Sequence, residues 1–204
     1  MVAKVFDDIL LKGIRAGQVP ARTDKAREWY RNQAKTVSKG RVAPEKLVRE
    51  MGTDRYKAAG RFRIGEMYMF SYDPKNKETL PYYDMFPLIF PIGRAKGGFL
   101  GLNMHYLPPI LRAKLMDALY DTISNDKYDE NTRLRLNYGT LAAAQKFKEF
   151  KPCIKHYLFQ HVRTKLVYVN PTEWDVALFL PTARFSGASK SKVYAESRKI
   201  IRGR

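Results

Sequence analysis

Glu66–Ile123 reads EMYMFSYDPKNKETLPYYDMFPLIFPIGRAKGGFLGLNMHYLPPILRAKLMDALYDTI, and its pattern turns from strand-like to helix-like along the way. Met67 to Tyr72 alternates aromatic with small or apolar residues, as a half-buried strand does. Asp73-Pro74-Lys75-Asn76 reads as a turn, because Asp can bond the local backbone and Pro fixes φ. Phe86 to Ile92 is a short apolar run in which Pro87 and Pro91 remove ladder donors, which predicts an edge or bulged strand. After the glycine-rich turn Gly93 to Gly98, Leu100, Leu102, Met104 and Tyr106 fall on one face of a strand, with Phe99, Asn103 and His105 on the other. Pro108-Pro109 stops that strand and opens a helix whose apolar face is Leu111, Leu115, Ala118, Leu119 and Ile123. Short strands joined by tight turns and closed by a helix predict an α+β fold around a small antiparallel sheet, SH3-like or curled.

Charge is distributed unevenly around this stretch. The 204 residues hold 38 Lys and Arg against 20 Asp and Glu, a net +18. Residues 1–65 carry 16 basic and 7 acidic side chains, residues 66–128 carry 7 of each, and residues 129–204 carry 15 and 6. Basic surface segregated to both flanks of a neutral core is the electrostatic footprint of a nucleic-acid partner. An acidic protein surface is the alternative partner. The single cysteine, Cys153, excludes an internal disulfide and any cysteine cluster for a structural metal. The N-terminal segment has acids within its apolar run and does not read as a signal peptide. No run approaches the ~18 apolar residues of a membrane span.

Upstream of the core, Val5, Phe6, Ile9, Leu10 and Ile14 recur at helical spacing, with Gly17 as a stop. Thr23 reads as the N-cap of a second helix, Asp24 to about Thr36, that sets Arg27, Arg31 and Lys35 in one cationic stripe. Like charges at that spacing cost a few tenths of a kcal/mol per pair, so the stripe is easiest to understand beside phosphates. Trp29 and Tyr30 read as its anchors. Pro44 opens a third helix through Met51, and Arg55, Lys57, Arg61 and Arg63 form a basic connector. Downstream, Leu134, Leu136 and Tyr138 alternate as in a strand, and Leu141 to Phe150 reads as a helix with Lys146, Lys148 and Lys151 exposed. Ile154, Tyr157, Leu158 and His161 share one side of a further helical turn. Leu166 to Val169 and Trp174 to Leu180 read as the strands of a hairpin about Asn170-Pro171-Thr172-Glu173. The last segment carries Arg184, Lys190, Lys192, Arg198, Lys199, Arg202 and Arg204 against one acid, Glu196. Val193, Ser197, Ile200 and Ile201 offer a narrow stripe by which a terminal helix would dock. The chain divides into a basic helical region 1–65, an α+β core 66–183 and a basic tail or helix 184–204.

Catalytic chemistry finds little support. Of the three histidines, His156 and His161 are five apart, and no HExxH or Cys/His pairing accompanies them. Asp73, Glu78 and Asp84 with His105 would be the ligands of a two-metal nuclease. The simpler roles are turn former for Asp73, ion-pair partner for Asp84 and hydrogen-bonded strand residue for His105. No phosphate-binding glycine loop or nucleophile elbow is present. Cys153 follows Pro152 in an apolar setting and reads as a small core residue. No cofactor and no small-molecule substrate are expected.

The words FSYDPKNKETLPYYDMFPLIFPI (70–92) and GFLGLNMHYLPPILRAKLMDALY (98–120) resemble the DNA end protector proteins of large contractile-tailed bacteriophages. The segments AGQVPARTDKAREWYR (16–31) and PCIKHYL (152–158), and the order Trp-x-x-Ala from Trp174, extend the likeness over most of the chain. The resemblance implies a non-enzymatic virion protein, present in the host cytoplasm during assembly. It would bind the ends of packaged linear double-stranded DNA, block host exonucleases and help complete the head beside other virion proteins. Its motif residues Tyr72, Asp73, Pro74, Tyr82, Tyr83, Asp84, Asn103, His105 and Tyr106 read as fold-determining. The phosphate-contacting set expected from charge is Arg27, Arg31, Lys35, Arg61, Arg63, Arg184, Lys190, Lys192, Arg198, Lys199, Arg202 and Arg204. An architectural neck, tail or baseplate component is the rival reading.

Overall fold

The structure, a computed structural model, describes residues 3–18, 23–38, 42–51, 58–59, 62–123, 127 and 129–203. Three helices come first: α1 (Ala3–Arg15), α2 (Asp24–Thr36) and α3 (Pro44–Met51). Thr23 caps α2, its Oγ1 accepting a bond from the Ala26 amide at 3.1 Å. The sheet then assembles from β1 (Ala58–Ala59), β2 (Met67–Met69), β4 (Leu88–Ala95), β5 (Gly98–Asn103), β6 (Ile154–Leu158) and β7 (Leu166–Val169). Its order is β1-β7-β2-β4-β5-β6, all antiparallel, so it is an open sheet with β1 and β6 at its ends. Two short strands, β3 (Tyr83–Asp84) and β8 (Phe185–Ser186), pair apart from it. The remaining helices are α4 (Pro109–Ile123), α5 (Glu130–Ala144), α6 (Trp174–Phe179) and α7 (Lys190–Arg202).

The strand β4 lies in the middle of the sheet, and its register shifts between Pro91 and Gly93. The bulge is what lets a proline sit in a central strand. Period-two burial separates the faces. Met67, Met69, Leu88, Phe90, Leu102, Val167 and Val169 join the helices in the main core, which also takes in Phe6, Tyr30, Val48, Trp174 and Val193. Tyr68, Phe70, Tyr72, Ile89, Phe99 and Tyr157 form a second, aromatic cluster on the opposite face. Gly98 opens β5 against β6 where there is no room for a side chain; a Cβ there would lie 1.9 Å from the Tyr157 carbonyl oxygen.

Three downstream segments differ from expectation. Residues 134–138 belong to α5, whose N-cap Asp129 accepts from the Thr132 amide at 2.7 Å. The buried positions Asn137, Leu141 and Ala144 recur at helical spacing, and the apparent alternation is incidental. Ile154–Leu158 is strand β6, not helix, because it supplies the ladder that the outer edge of β5 needs. Trp174–Phe179 is helix α6, not the second strand of a hairpin. Asn170 caps a 3-10 turn at Pro171–Glu173 that feeds directly into it. Trp174 through Leu180 are all buried, so alternation within that stretch carried no information about period. Met104–Tyr106, expected in strand, is a 3-10 turn capped by Asn103.

That turn sits in a sealed polar network. The Asp84 carboxylate accepts from His105 Nδ1 at 2.7 Å, Asn103 Nδ2 at 3.0 Å and the Phe86 amide at 3.1 Å. His105 Nε2 lies 3.2 Å from Thr182 Oγ1. An ionised Asp84 requires a proton on Nδ1, so Nε2 of the neutral ring accepts from the threonine hydroxyl. Burial, with Arg112 and Lys190 adding to it, lowers the His105 pKa against the opposing pull of Asp84.

Arg112 binds the neighbouring segments together. Its Nε donates to the Leu107 carbonyl at 2.8 Å, Nη1 to Leu178 at 2.7 Å and Nη2 to His105 at 3.1 Å. Nη2 also bonds the Tyr194 hydroxyl of α7. These carbonyls sit at the ends of short helical segments, where no helical amide is available to them. Burial lowers the Arg112 pKa, yet its charge is dispersed over the three carbonyl dipoles.

Two outcomes are expected. Arg112→Met orphans buried carbonyls that cost about 1–3 kcal/mol each, so it lowers the unfolding free energy by several kcal/mol in urea titrations. Arg112→Lys fails similarly, since an ammonium cannot fork toward three directions. For His105, the unfolded chain takes a proton at the ordinary value of 6.5 while the folded chain takes it only at lower pH. Its stabilising contribution is therefore whole above pH 6.5 and declines as pH falls below it. Thermal melts between pH 6.5 and about 5 show this slope, and His105→Gln flattens it.

Candidate nucleic-acid interface

The expected cationic stripe on α2 is turned inward. Arg27 and Arg31 are only 5% and 8% exposed. Arg31 Nε donates to Asp175 Oδ1 at 2.6 Å, and its Nη2 donates to Asp117 Oδ1 at 2.7 Å. Burial opposes its charge, but the two carboxylates outweigh burial and raise its pKa. Arg27 pairs with Asp24, approaches Asp117 at 3.3 Å and lies over the Tyr120 ring. Acids from α4 and α6 thus converge on the stripe and neutralise it, which removes both arginines from the phosphate-facing set. Lys35 alone of the three is exposed, with its Nζ 5.1 Å from the Phe179 ring centroid.

Arg61 and Arg204 lie outside the described residues. Arg63 is exposed, 3.9 Å from Glu66, on the rim of a groove with Arg94, Arg135 and Tyr138. Arg184 is exposed beside β8.

The remaining expected residues come together on α7. Ser189 Oγ caps its first turn by accepting from the Lys192 amide at 3.3 Å, and Gly203 ends it with φ of 71°. Val193 and Ser197 are buried, and Tyr194 is held by Arg112. That fixes the helix's rotation. Lys192, Arg198, Lys199 and Arg202 are exposed, whereas Lys190 is half-buried. Glu196, the one acid of the helix, is half-buried and accepts a bond from Tyr82, whose pKa burial and this bond push up to about 12. The helix packs against the 3-10 segment Lys148–Cys153, beside which Lys146, Lys148 and Lys151 are exposed. The charge-based set omitted these three lysines; only the packing reveals that they lie next to α7. Lys155, by contrast, is drawn over the Tyr106 ring, 4.2 Å from its centroid, and burial lowers its pKa.

The groups weighed for catalysis are placed differently. Asp84 and His105 are sealed in the core at 3% and 0% exposure, out of reach of a polymer substrate. Asp73 accepts from Lys77 and from Arg163 at 2.9 Å, tying the turn to the segment after β6. Its hydrogen bonds to Lys77 and Arg163 hold its pKa below the ordinary carboxylate value. Cys153 is buried and burial pushes its thiol up to about 12, where it is unreactive. Among the described residues, no group of three or more His, Cys, Asp or Glu is placed to hold a metal. No helix among them is long and apolar enough to cross a membrane.

No curated protein and no solved structure matches the chain. A family model described as phage T4 terminal DNA protecting protein matches residues 6–202, nearly the whole chain and every element from α1 to α7 that carries the core. An α+β fold with an exposed cationic terminal helix, matched over that length, belongs to the phage T4 terminal DNA protecting protein family.

Proposed function

We propose that this protein binds the ends of packaged linear double-stranded DNA, shields them from host exonucleases and takes part in completing the phage head. It would act in the virion, after assembly in the host cytoplasm, in contact with other virion proteins. The observation that carries the reading is the outward face of α7. Lys192 to Arg202 spans ten residues of helix, about 15 Å, comparable with roughly four phosphates along one DNA strand. Four exposed cations occupy that length, and Glu196 is turned aside. Lys148 and Lys151 are exposed on the 3-10 segment against which α7 packs. The family's description supplies the preference for termini.

The second reading, an architectural neck, tail or baseplate component, has its own support. Ile14 and Ile110 are 62% and 72% exposed, apolar side chains of the sort a neighbouring subunit would cover.

Linear and circular duplexes challenged with a processive exonuclease separate the two. End binding predicts that the linear DNA survives when the protein is added. An architectural role predicts unaltered degradation and no retained DNA of either form. Affinity for linear duplex should fall on the order of a thousandfold between low and moderate salt if six or more phosphates are engaged. Substituting Arg198, Lys199 and Arg202 together by Ala should flatten the plot of log affinity against log salt by roughly 0.9 per lost contact. An unchanged slope would remove α7 from the interface.

A further inference from the structure

A groove that α7 does not line runs along the β4–β5 hairpin and the segment leading into β7, and helix α5 closes one end of it with Arg135 and Tyr138. It has two joined compartments of about 820 and 570 Å³, with Phe62 and Arg94 lining both. Each lies in the range of roughly 300–1,000 Å³ that suits small organic groups. Its rings are Phe62, Phe159 and Tyr138. Phe159 is 52% and Tyr138 46% exposed, unusual for side chains of this size. Phe159 is not loose: its amide donates to the Gly97 carbonyl at 3.0 Å, and its ring lies 5.6 Å from buried Phe99 and 6.3 Å from Phe62. The cations are Arg63, Arg94 and Arg135, with Lys165 at the other end. No acid is among the described lining residues; Glu66 meets Arg63 only at 3.9 Å.

We infer that this groove holds the unpaired terminal nucleotides of a DNA strand, their bases stacked on Phe159 and Tyr138 and their phosphates on Arg94, Arg135 and Lys165. The inference rests on the end-binding reading and refines it. Bases inside a duplex are stacked on one another and offer no free face, so exposed rings gain nothing from the middle of a DNA. At a terminus, frayed or overhanging bases have free faces, and stacking on an aromatic side chain contributes about 1–3 kcal/mol per base. A cationic helix alone binds duplex anywhere along its length. The groove supplies the discrimination that such a helix lacks. The two surfaces divide the work: α7 grips the duplex backbone, and the groove recognises that the duplex has ended.

The test uses the full-length chain and three synthetic DNAs of equal duplex length at one salt concentration. One is closed by hairpins at both ends, one is blunt, and one carries an overhang of about four nucleotides, within the site sizes of single-strand binders. The overhang should bind more tightly than the closed form. A 2-aminopurine in the overhang should lose fluorescence as it stacks. Phe159→Ala and Tyr138→Ala should each reduce the overhang-to-closed affinity ratio roughly 5- to 150-fold. Because both side chains are half-exposed, their melting temperatures should stay near that of the parent, and Arg94→Gln provides a third variant that leaves the aromatic packing untouched. Equal parental affinity for overhang and closed DNA, or an undiminished ratio in all three variants, overturns the groove assignment while leaving end protection by α7 standing. Failure of the parent protein to bind any of the DNAs overturns the end-binding reading, and the groove assignment with it.

Discussion

The Arg112 guanidinium is the constraint on which the rest of this structure leans. It donates to carbonyls of His105 and Leu107 ahead of its own helix, of Leu178 in α6, and to the hydroxyl of Tyr194 in α7. Short helical segments meeting at one point leave carbonyls that neither a neighbouring amide nor water can satisfy. Arginine is the one side chain with five donors in a rigid plane, so it can answer several of them at once. The neighbouring Asp84–Asn103–His105–Thr182 network works by the same logic, its side chains joining three separate segments while nearby amides take up the remaining acceptors. Buried polar groups of this sort favour a unique arrangement, because any displacement strands a donor or an acceptor. The consequence for function is direct: the rotation of α7, and hence which of its cations face outward, is set from inside the core.

Electrostatics along the chain and electrostatics on the surface turn out to be different quantities. The neutral central stretch owes part of its neutrality to Asp117, and the folded protein spends that acid on Arg27 and Arg31 of the basic N-terminal flank. Asp175, from the C-terminal flank, joins them. Charges far apart in sequence are thus cancelled where they meet in the interior, which takes Arg27 and Arg31 off the exposed surface while Lys192, Arg198, Lys199 and Arg202 of α7 stay on it. Residue counts alone overstate the N-terminal contribution for that reason.

Much of the architecture was legible from local pattern. The helix α1, the Thr23 cap, the proline-initiated α3 and α4, the bulged strand at Pro91 and the mixed α+β class each follow from spacings that one element imposes by itself. The errors fall where the deciding partner is remote. The strand β6 exists because β5 needs a neighbour, α6 because Asn170 and Pro171 start a turn that leads into a wholly buried stretch, and the inward stripe of α2 because Asp117 and Asp175 lie opposite it. In the groove, Phe62, Arg94, Arg135 and Phe159 stand far apart in the chain with no shared motif. No periodicity could have joined them.

What the sequence determined by itself was the kind of molecule: a basic α+β protein, its strongest words resembling a family of DNA-terminus protectors, with a cationic last segment. Composition and short-range spacing suffice for that, since helix caps, turns and net charge are local or additive properties. Which cations face solvent was decided only in three dimensions. A buried arginine and an exposed one are identical in sequence, and the difference between them is whether distant carboxylates and carbonyls arrive to offset the loss of water.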